Sequence, residues 1–424
     1  MAAVEERLAR KVALHVLPVL MAGYFLAFLD RVNAGFAALQ MNAQVGLSPA
    51  VFGLGGGLFF VGYVLLEVPS NLILMRVGAR RWLGRILITW GLVSAAMALV
   101  EGPRSFLALR FALGVAEAGF FPGVIVYLAR WFPSATRARI VAAFMVAIPV
   151  SNMLGSPLSA ALLGLDGWLG LAGWRWMFVL EGLPAVALGV WVALRLPEGP
   201  HEARWLSGME RAQLAARQAA EDAASHSVGH APLWRVLTHR KVLLAALVYA
   251  GTSAASSCLT LWGPQYLHAL GADPMTTGWL NAIPYAIAAP AMILWARRSD
   301  RAGERVGHTA APLALAAIAL AFAPLGRGIW ATEALLCAAV VGTYAIKGPF
   351  WSLCAEWFSP QAAPAAIAQV NAIGNLGGFA ATWAMGLIRQ GGGTYAQGLL
   401  PLAAVTAVST AALWQAHRPP ALPE

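Results

Sequence analysis

Five ionisable residues stand inside stretches that are otherwise apolar: Asp30 and Arg31, Arg110 and Glu117, and Lys347. Even on insertion scales, a charged residue at the centre of a bilayer costs roughly 2.5–3.5 kcal/mol. One structural ion pair accounts poorly for five such residues on three spans. The residue types divide the work. A guanidinium is a planar fork that matches a carboxylate, which makes Arg31 and Arg110 candidates for holding a small organic anion. A carboxylic acid in a low-dielectric site keeps its proton to higher pH, which makes Asp30 and Glu117 candidates for carrying a proton beside it. The competing reading is a permanent ion-pair network that only locks helices together.

Spacing sharpens these roles. Arg110 and Glu117 are seven residues apart, two helical turns along one face. Asp30 and Arg31 are adjacent and therefore about 100° apart around a helix, so one faces the interior and the other a neighbouring helix. Lys347 sits in Tyr344-Ala345-Ile346-Lys347-Gly348-Pro349-Phe350-Trp351. It either presents a cation to a second carboxylate or snorkels toward an interface. Tyr63, Gln265, Asn371 and Asn375 are candidate polar contacts, the two asparagines one turn apart on one face. Ordinary interhelical hydrogen bonding competes equally for each. Glu67, Glu181 and Glu333 lie near predicted helix ends, where structural roles at the membrane interface are expected.

The elements that must position these residues are transmembrane helices. Of the 424 residues, 59% are hydrophobic and 11% are charged, whereas a soluble domain carries about 25% charged residues. Many apolar runs reach the roughly 20 residues that cross a bilayer, and inside lipid a helix satisfies its own backbone. The pattern predicts an all-α integral membrane fold with helices near 12–36, 49–75, 82–101, 104–131, 138–163, 175–196, 241–269, 275–296, 308–325, 328–352, 362–387 and 395–416. Arg7, Arg10 and Lys11 precede a run too long for a signal-peptide core, so the first helix is expected to stay. The three cysteines, Cys258, Cys337 and Cys354, all fall in apolar stretches and give no disulfide framework.

The net charge of +10 is distributed by side. Alternate loops put the N-terminus, Arg76, Arg80, Arg81, Arg85, Arg130, Arg137, Arg139, the 195–241 stretch, Arg297, Arg298, Arg301, Arg305 and Arg418 on one side. Only Arg104, Arg175, Arg327 and Arg389 fall on the other. By the positive-inside rule the first side is cytoplasmic and holds both termini. The basic balance is thus a topology signal and not a nucleic-acid footprint. Residues 197–240 break the apolar pattern as a polar, partly helical linker between a bundle at 1–196 and another at 241–424. Its His226 and His230 read as solvated loop residues, with no cysteine or third histidine to complete a metal site.

Two short patterns recur across that linker. Arg76-x-Gly78-x-Arg80 returns as Arg301-x-Gly303-x-Arg305, and Trp131-Phe132 returns as Trp357-Phe358, at shifts of 225 and 226 residues. An even number of spans separates the copies, so the halves are parallel repeats of six helices each.

With these motifs the chain resembles the major facilitator superfamily. Arg76-Val77-Gly78-Ala79-Arg80-Arg81 and Ser299-Asp300-Arg301-Ala302-Gly303-Glu304-Arg305 are similar to its cytoplasmic loop signatures. The resemblance implies gating roles for Arg76, Arg80, Asp300, Arg301 and Arg305. The first copy departs from the usual pattern, with Met75 where an acid often stands. Finer matches resemble the anion:cation symporter family: Asp30-Arg31-Val32-Asn33-Ala34-Gly35-Phe36, Gly62-Tyr63 with Glu67-Val68-Pro69-Ser70-Asn71, Trp174-Arg175-Trp176-Met177-Phe178-Val179-Leu180-Glu181-Gly182, and Asn371-Ala372-Ile373-Gly374-Asn375-Leu376-Gly377-Gly378. That resemblance implies a proton-coupled carrier of the bacterial inner membrane, functional as a monomer, that imports a small organic carboxylate. The Lys347 stretch is similar to transporters of tartrate and related dicarboxylates. No cofactor is implied beyond the proton as coupling ion, and the partners are the anion, the proton and the lipid bilayer. Phe28, where some relatives have tyrosine, would suit an apolar or aromatic substrate face. A monocarboxylate symporter and a proton-coupled exporter remain the alternatives. An enzyme is not expected, because HExxH, GxSxG and GxxxxGK[ST] patterns are all missing.

Overall fold

The computed structural model describes residues 2–226, 238–358 and 363–417. His230, Arg418 and positions 227–237 of the linker lie outside the described residues, as do the side chains of His226 and Arg139. Among the described residues the chain is all helical: α1 (Ala2–Gln44), α2 (Pro49–Val77), α3 (Ala79–Ala96), α4 (Pro103–Glu117), α5 (Phe120–Ala129), α6 (Ser134–Met145), α7 (Ala147–Leu163), α8 (Gly173–Arg195), α9 (Gly208–His226), α10 (Arg240–Ala269), α11 (Pro274–Ala302), α12 (Val306–Phe322), α13 (Ile329–Ala345), α14 (Lys347–Trp357), α15 (Ala363–Gln390) and α16 (Tyr395–His417).

Eleven helical stretches are long and apolar enough to cross a membrane, and the chain is a multi-pass membrane protein. α15, 28 residues long, stands where the remaining span is expected but is not one of the eleven. Local sequence sets where helices begin. Pro49, Pro103 and Pro274 occupy first-turn positions, where a missing N–H costs nothing. Ser48 and Asp273 accept from the following backbone N–H groups. Large side chains such as Leu14, Leu65, Leu72, Leu194 and Leu294 are exposed. That placement is an anomaly in water and the rule in lipid.

Three expected spans are broken. The stretch 104–131 divides into α4 and α5 at Gly119, whose φ of +88° is left-handed and whose missing Cβ leaves room for the Ser70 hydroxyl. A side chain there would be strained and would collide. The stretch 138–163 divides at Val146, and 328–352 divides at Ile346, immediately before Lys347.

The helix pairing repeats. α1 packs on α7, α2 on α4 and α3 on α8; after the linker, α10 packs on α15, α11 on α13 and α12 on α16. The halves meet through α2 with α15, α7 with α11 and α1 with α10. These contacts are tightest toward the starts of α2 and α11. A Cβ on Gly53 would lie 2.5 Å from the Thr382 carbonyl oxygen. Ser48 Oγ and the Ala50 N–H both donate to Gln390 Oε1, at 3.1 and 3.2 Å, and Asn281 Nδ2 donates to Ser156 Oγ at 2.8 Å.

The first part of the linker is fastened to the first half. Glu198 accepts from the backbone N–H groups of Ala79 and Arg80 at 2.6 and 3.0 Å, capping α3, and pairs with Arg130 at 2.7 Å. Lys11 pairs with Glu210 at 2.7 Å, and Trp205 stacks on both His15 and Trp131. Glu210 lies outside the spans, and its carboxyl is held below the usual range by the Lys11 hydrogen bond.

Candidate functional site

A cavity of about 110 Å³ lies between the halves, several times the ~10–15 Å³ that one water needs. Its lining runs from Gly56, Leu261 and Thr382 at the tightly packed end to Met145 and Trp351 in the other direction. Three cations and one carboxyl line it: Arg31, Arg110, Lys347 and Glu117.

α1 and α4 supply the first group. Arg31 Nη2 donates to Glu117 Oε1 at 2.5 Å; the arginine side chain keeps 23% exposure and the glutamate only 3%. Arg110 Nε donates to the Gly55 carbonyl at 3.3 Å. Three buried polar atoms here have no partner among the described residues: Arg31 Nε, Arg110 Nη1 and Glu117 Oε2. The Phe59 ring is close to both guanidiniums, 5.0 Å from that of Arg31 and 5.4 Å from that of Arg110. Phe28 lies 4.5 Å from Arg31 on another side. These rings hold the cations by cation–π contact while leaving donors open. Glu117, expected on one face of its helix with Arg110, pairs between helices with Arg31.

The second half faces them with Lys347, whose ammonium stands 4.1 Å from the Tyr344 ring. The break before Lys347 turns α14 so that this residue lines the cavity. It does not snorkel to an interface. Asn371 and Asn375 line the cavity from α15 and Tyr63 from α2.

Two expected residues are not brought to this wall. Asp30 points the other way around α1, as its 100° offset from Arg31 allows. It is buried, accepts from Ser94 Oγ at 2.6 Å, from Asn33 Nδ2 at 3.2 Å and from Trp90 Nε1, and does not line the cavity. Gln265 folds back on the Leu261 carbonyl at 3.4 Å and does not line it either.

Glu67 and Glu181 correct an expectation: both lie buried well within their helices and not near helix ends. Glu181 is buried within α8 and accepts from Ser159 Oγ at 2.8 Å. Glu67, 9% exposed within α2, accepts from Asn371 Nδ2 at 2.8 Å. That bond joins the two halves beside the cavity. Glu333, near the start of α13, is buried and accepts from Cys337 Sγ at 3.7 Å.

Arg80 pairs with the linker and Arg305 within the second half. Arg80 binds Glu202 at 2.8 Å, while Arg305 binds Asp300 at 2.6 Å and Glu356 at 3.3 Å. Arg76 and Arg301 are exposed. Near the helix end that carries Met75, the acids come from the linker: Glu202 pairs with Arg80 and Glu198 with Arg130.

Sequence reasoning missed the α10 wall. Thr252, Ser253, Ser256, Ser257 and Thr260 all line the cavity, and their i, i+1, i+4, i+5, i+8 spacing in an apolar span was the available signal. It also missed Tyr24, Tyr249 and Phe59, which carry no pattern among so many aromatics.

Comparisons with known proteins bear on the family and the fold. The Major Facilitator Superfamily model matches residues 20–382. A protein of Agrobacterium vitis named "Putative tartrate transporter" is 49% identical over 405 residues, covering 96% of this chain and 93% of that one. The "Quinolone resistance transporter" of Acinetobacter baumannii is 39% identical over 402 residues, covering 95% and 93%. Among solved structures, a bacterial homologue of the human lysosomal transporter Spinster, inward-facing and unoccupied, superposes with a TM-score of 0.77 at 18% identity, covering 96% of this chain and 97% of that one.

Proposed function

The chain belongs to the major facilitator superfamily and is a membrane transporter, not an enzyme; we propose that it imports a small organic dicarboxylate of the tartrate type together with protons. One observation carries this reading: three cations and a single carboxyl line a cavity between the two halves of an apolar bundle. Arg31 and Arg110 hold one carboxylate and Lys347 the other, so the ligand draws the halves together. The Agrobacterium vitis relative's name supports the tartrate class.

Proton coupling rests on Glu117. A ligand carboxylate competes with Glu117 for the Arg31 guanidinium, and a carboxylate that loses its cation in an apolar wall takes up a proton. Entry of an anion against an inside-negative potential costs about 2.3 kcal/mol per charge per 100 mV, and co-moved protons offset that cost. Asp30, which meets only neutral donors one residue from Arg31, is the second proposed proton site.

The architecture proposed is twelve spans in two parallel six-helix repeats, 1–196 and 241–424, with the linker and both termini in the cytoplasm of a bacterial inner membrane. Its support is that Arg80, Arg130 and Arg305 lie at helix ends opposite the packed end, and basic residues gather on the cytoplasmic side. The packed end is then extracytoplasmic, and the cavity is approached from inside. Arg76, Arg80, Asp300, Arg301 and Arg305 act in gating there, and one protomer suffices.

Export is the second reading, favoured by the name of the Acinetobacter baumannii relative. A cationic drug is ill-suited to a wall of three cations. The test is uptake by proteoliposomes of labelled tartrate, phthalate, a sugar acid and a hydroxyaromatic acid, with and without an inward proton gradient. Gradient-stimulated accumulation of tartrate is expected. Accumulation of none of the four overturns the import reading.

A further inference from the structure

We propose that Ser253 and Ser257 on α10 read the hydroxyl groups of the substrate, so that the site selects a hydroxylated dicarboxylate over a bare one. The inference rests on the carboxylate reading above and adds to it a specificity element.

Serines and threonines inside a membrane helix ordinarily fold their hydroxyls onto a carbonyl one turn back. Three of the five hydroxyl residues on this wall are engaged. Thr252 donates to the Val248 carbonyl at 3.3 Å, Ser256 donates to the Ser253 carbonyl at 3.4 Å, and Thr260 meets the Tyr285 hydroxyl at 3.2 Å. Ser253 and Ser257 differ: both line the cavity, and neither hydroxyl makes a hydrogen bond to another described residue. They are four residues apart, so they sit one above the other on one face of α10. Ser257 is held beside α15, its Oγ 2.9 Å from where a Cβ on Gly378 would stand.

The chemistry of these two groups is specific. Arginine and lysine only donate, and they already supply the carboxylate sites. A serine hydroxyl both donates and accepts, and a substrate hydroxyl is its match in either direction. A bare hydrocarbon between the two carboxylates would leave both serines dry and unpaired, the situation by which binding sites reject analogues that lack a hydroxyl. Of the aromatic rings nearby, Phe28 and Phe59 are already engaged by the guanidinium of Arg31.

The experiment compares calorimetric Kd values for tartrate and succinate, which share four carbons and two carboxylates and differ by the two hydroxyls. The wild-type protein should bind tartrate at least 10-fold more tightly. Each neutral hydrogen bond contributes roughly 3- to 10-fold, so Ser253→Ala/Ser257→Ala should weaken tartrate by about 10- to 100-fold. Succinate should shift by less than about 3-fold, which also shows that the variant is folded. Ser253→Thr and Ser257→Thr, keeping the hydroxyl, should retain most of the preference. Equal wild-type affinities, parallel losses of both ligands, or an unchanged tartrate Kd in the double variant would each overturn the inference. If the wild-type protein binds neither acid, the carboxylate reading itself fails and this one with it. If it binds both but without selectivity, only the serine assignment falls.

Discussion

Arg31 on α1 and Glu117 on α4 form an ion pair of 2.5 Å at the cavity wall, in which the arginine is partly exposed and the glutamate almost fully buried. Removing two charges from water costs several kcal/mol per ion unless geometry and further hydrogen bonds compensate. Here the compensation is incomplete, because Glu117 Oε2 and Arg31 Nε are unpartnered. In the proposed cycle this pair exchanges: an incoming carboxylate takes the guanidinium, and a proton takes its place on Glu117.

Glu117→Gln keeps the shape of the side chain and a hydrogen-bond acceptor for Arg31 but removes the exchangeable proton. The variant should retain exchange of external for internal tartrate within about 10-fold of wild type, while a pH gradient no longer drives accumulation. Counterflow and gradient-driven uptake in the same vesicles separate the two. Full gradient-driven accumulation by the variant would remove Glu117 from the coupling step.

Arg110 keeps one buried nitrogen unpartnered, Nη1, beside the bond from Nε to the Gly55 carbonyl. A hydrogen bond to a charged group is worth about 1.5–3 kcal/mol, and the Coulombic term adds to it. Arg110→Ala should weaken tartrate binding by at least ~100-fold. Arg110→Lys should rescue little, since a point charge cannot reproduce the fork. Equilibrium binding to purified protein checks both.

The charged residues and their spans were legible because each violates the composition around it. Which of Asp30 and Arg31 faces the cavity was not, because the choice is made by Trp90 and Ser94 on α3, which supply donors on the far side. Glu67 was misplaced for a related reason. Its partner Asn371 lies 304 residues away, and no periodicity in either helix announces such a contact. Gln265 reads as polar in sequence, yet its own helix satisfies it. The repeat motifs located the loop cations at helix ends, while Glu202, the partner of Arg80, lies in a linker without any pattern of its own.

The bond between Glu67 and Asn371 joins α2 to α15 beside the cavity. Asn371→Leu leaves a buried acid with no donor, a loss of about 1–3 kcal/mol, and should lower the midpoint of thermal unfolding in detergent. Glu67→Gln in the same background should recover most of it. Unchanged midpoints for Asn371→Leu would show that the bond contributes nothing to the state described here.

Gln390 accepts from Ser48 and Ala50 where α2 and α15 close over the packed end. If transport requires that end to open, a disulfide between Ser48→Cys and Gln390→Cys should block uptake by more than ~90% under oxidation and release it on reduction, the usual consequence of tying one gate in alternating access. Undiminished uptake with the disulfide formed would mean that this end does not open during the cycle.

The decisive measurement is the pH inside proteoliposomes, followed by an entrapped indicator, when tartrate is added outside with no gradient imposed. Coupled entry predicts internal acidification that rises with tartrate concentration and saturates with uptake, and that disappears in Glu117→Gln. Tartrate entry without any internal pH change would contradict proton coupling, and no entry at all would contradict the assignment of the cavity to dicarboxylates.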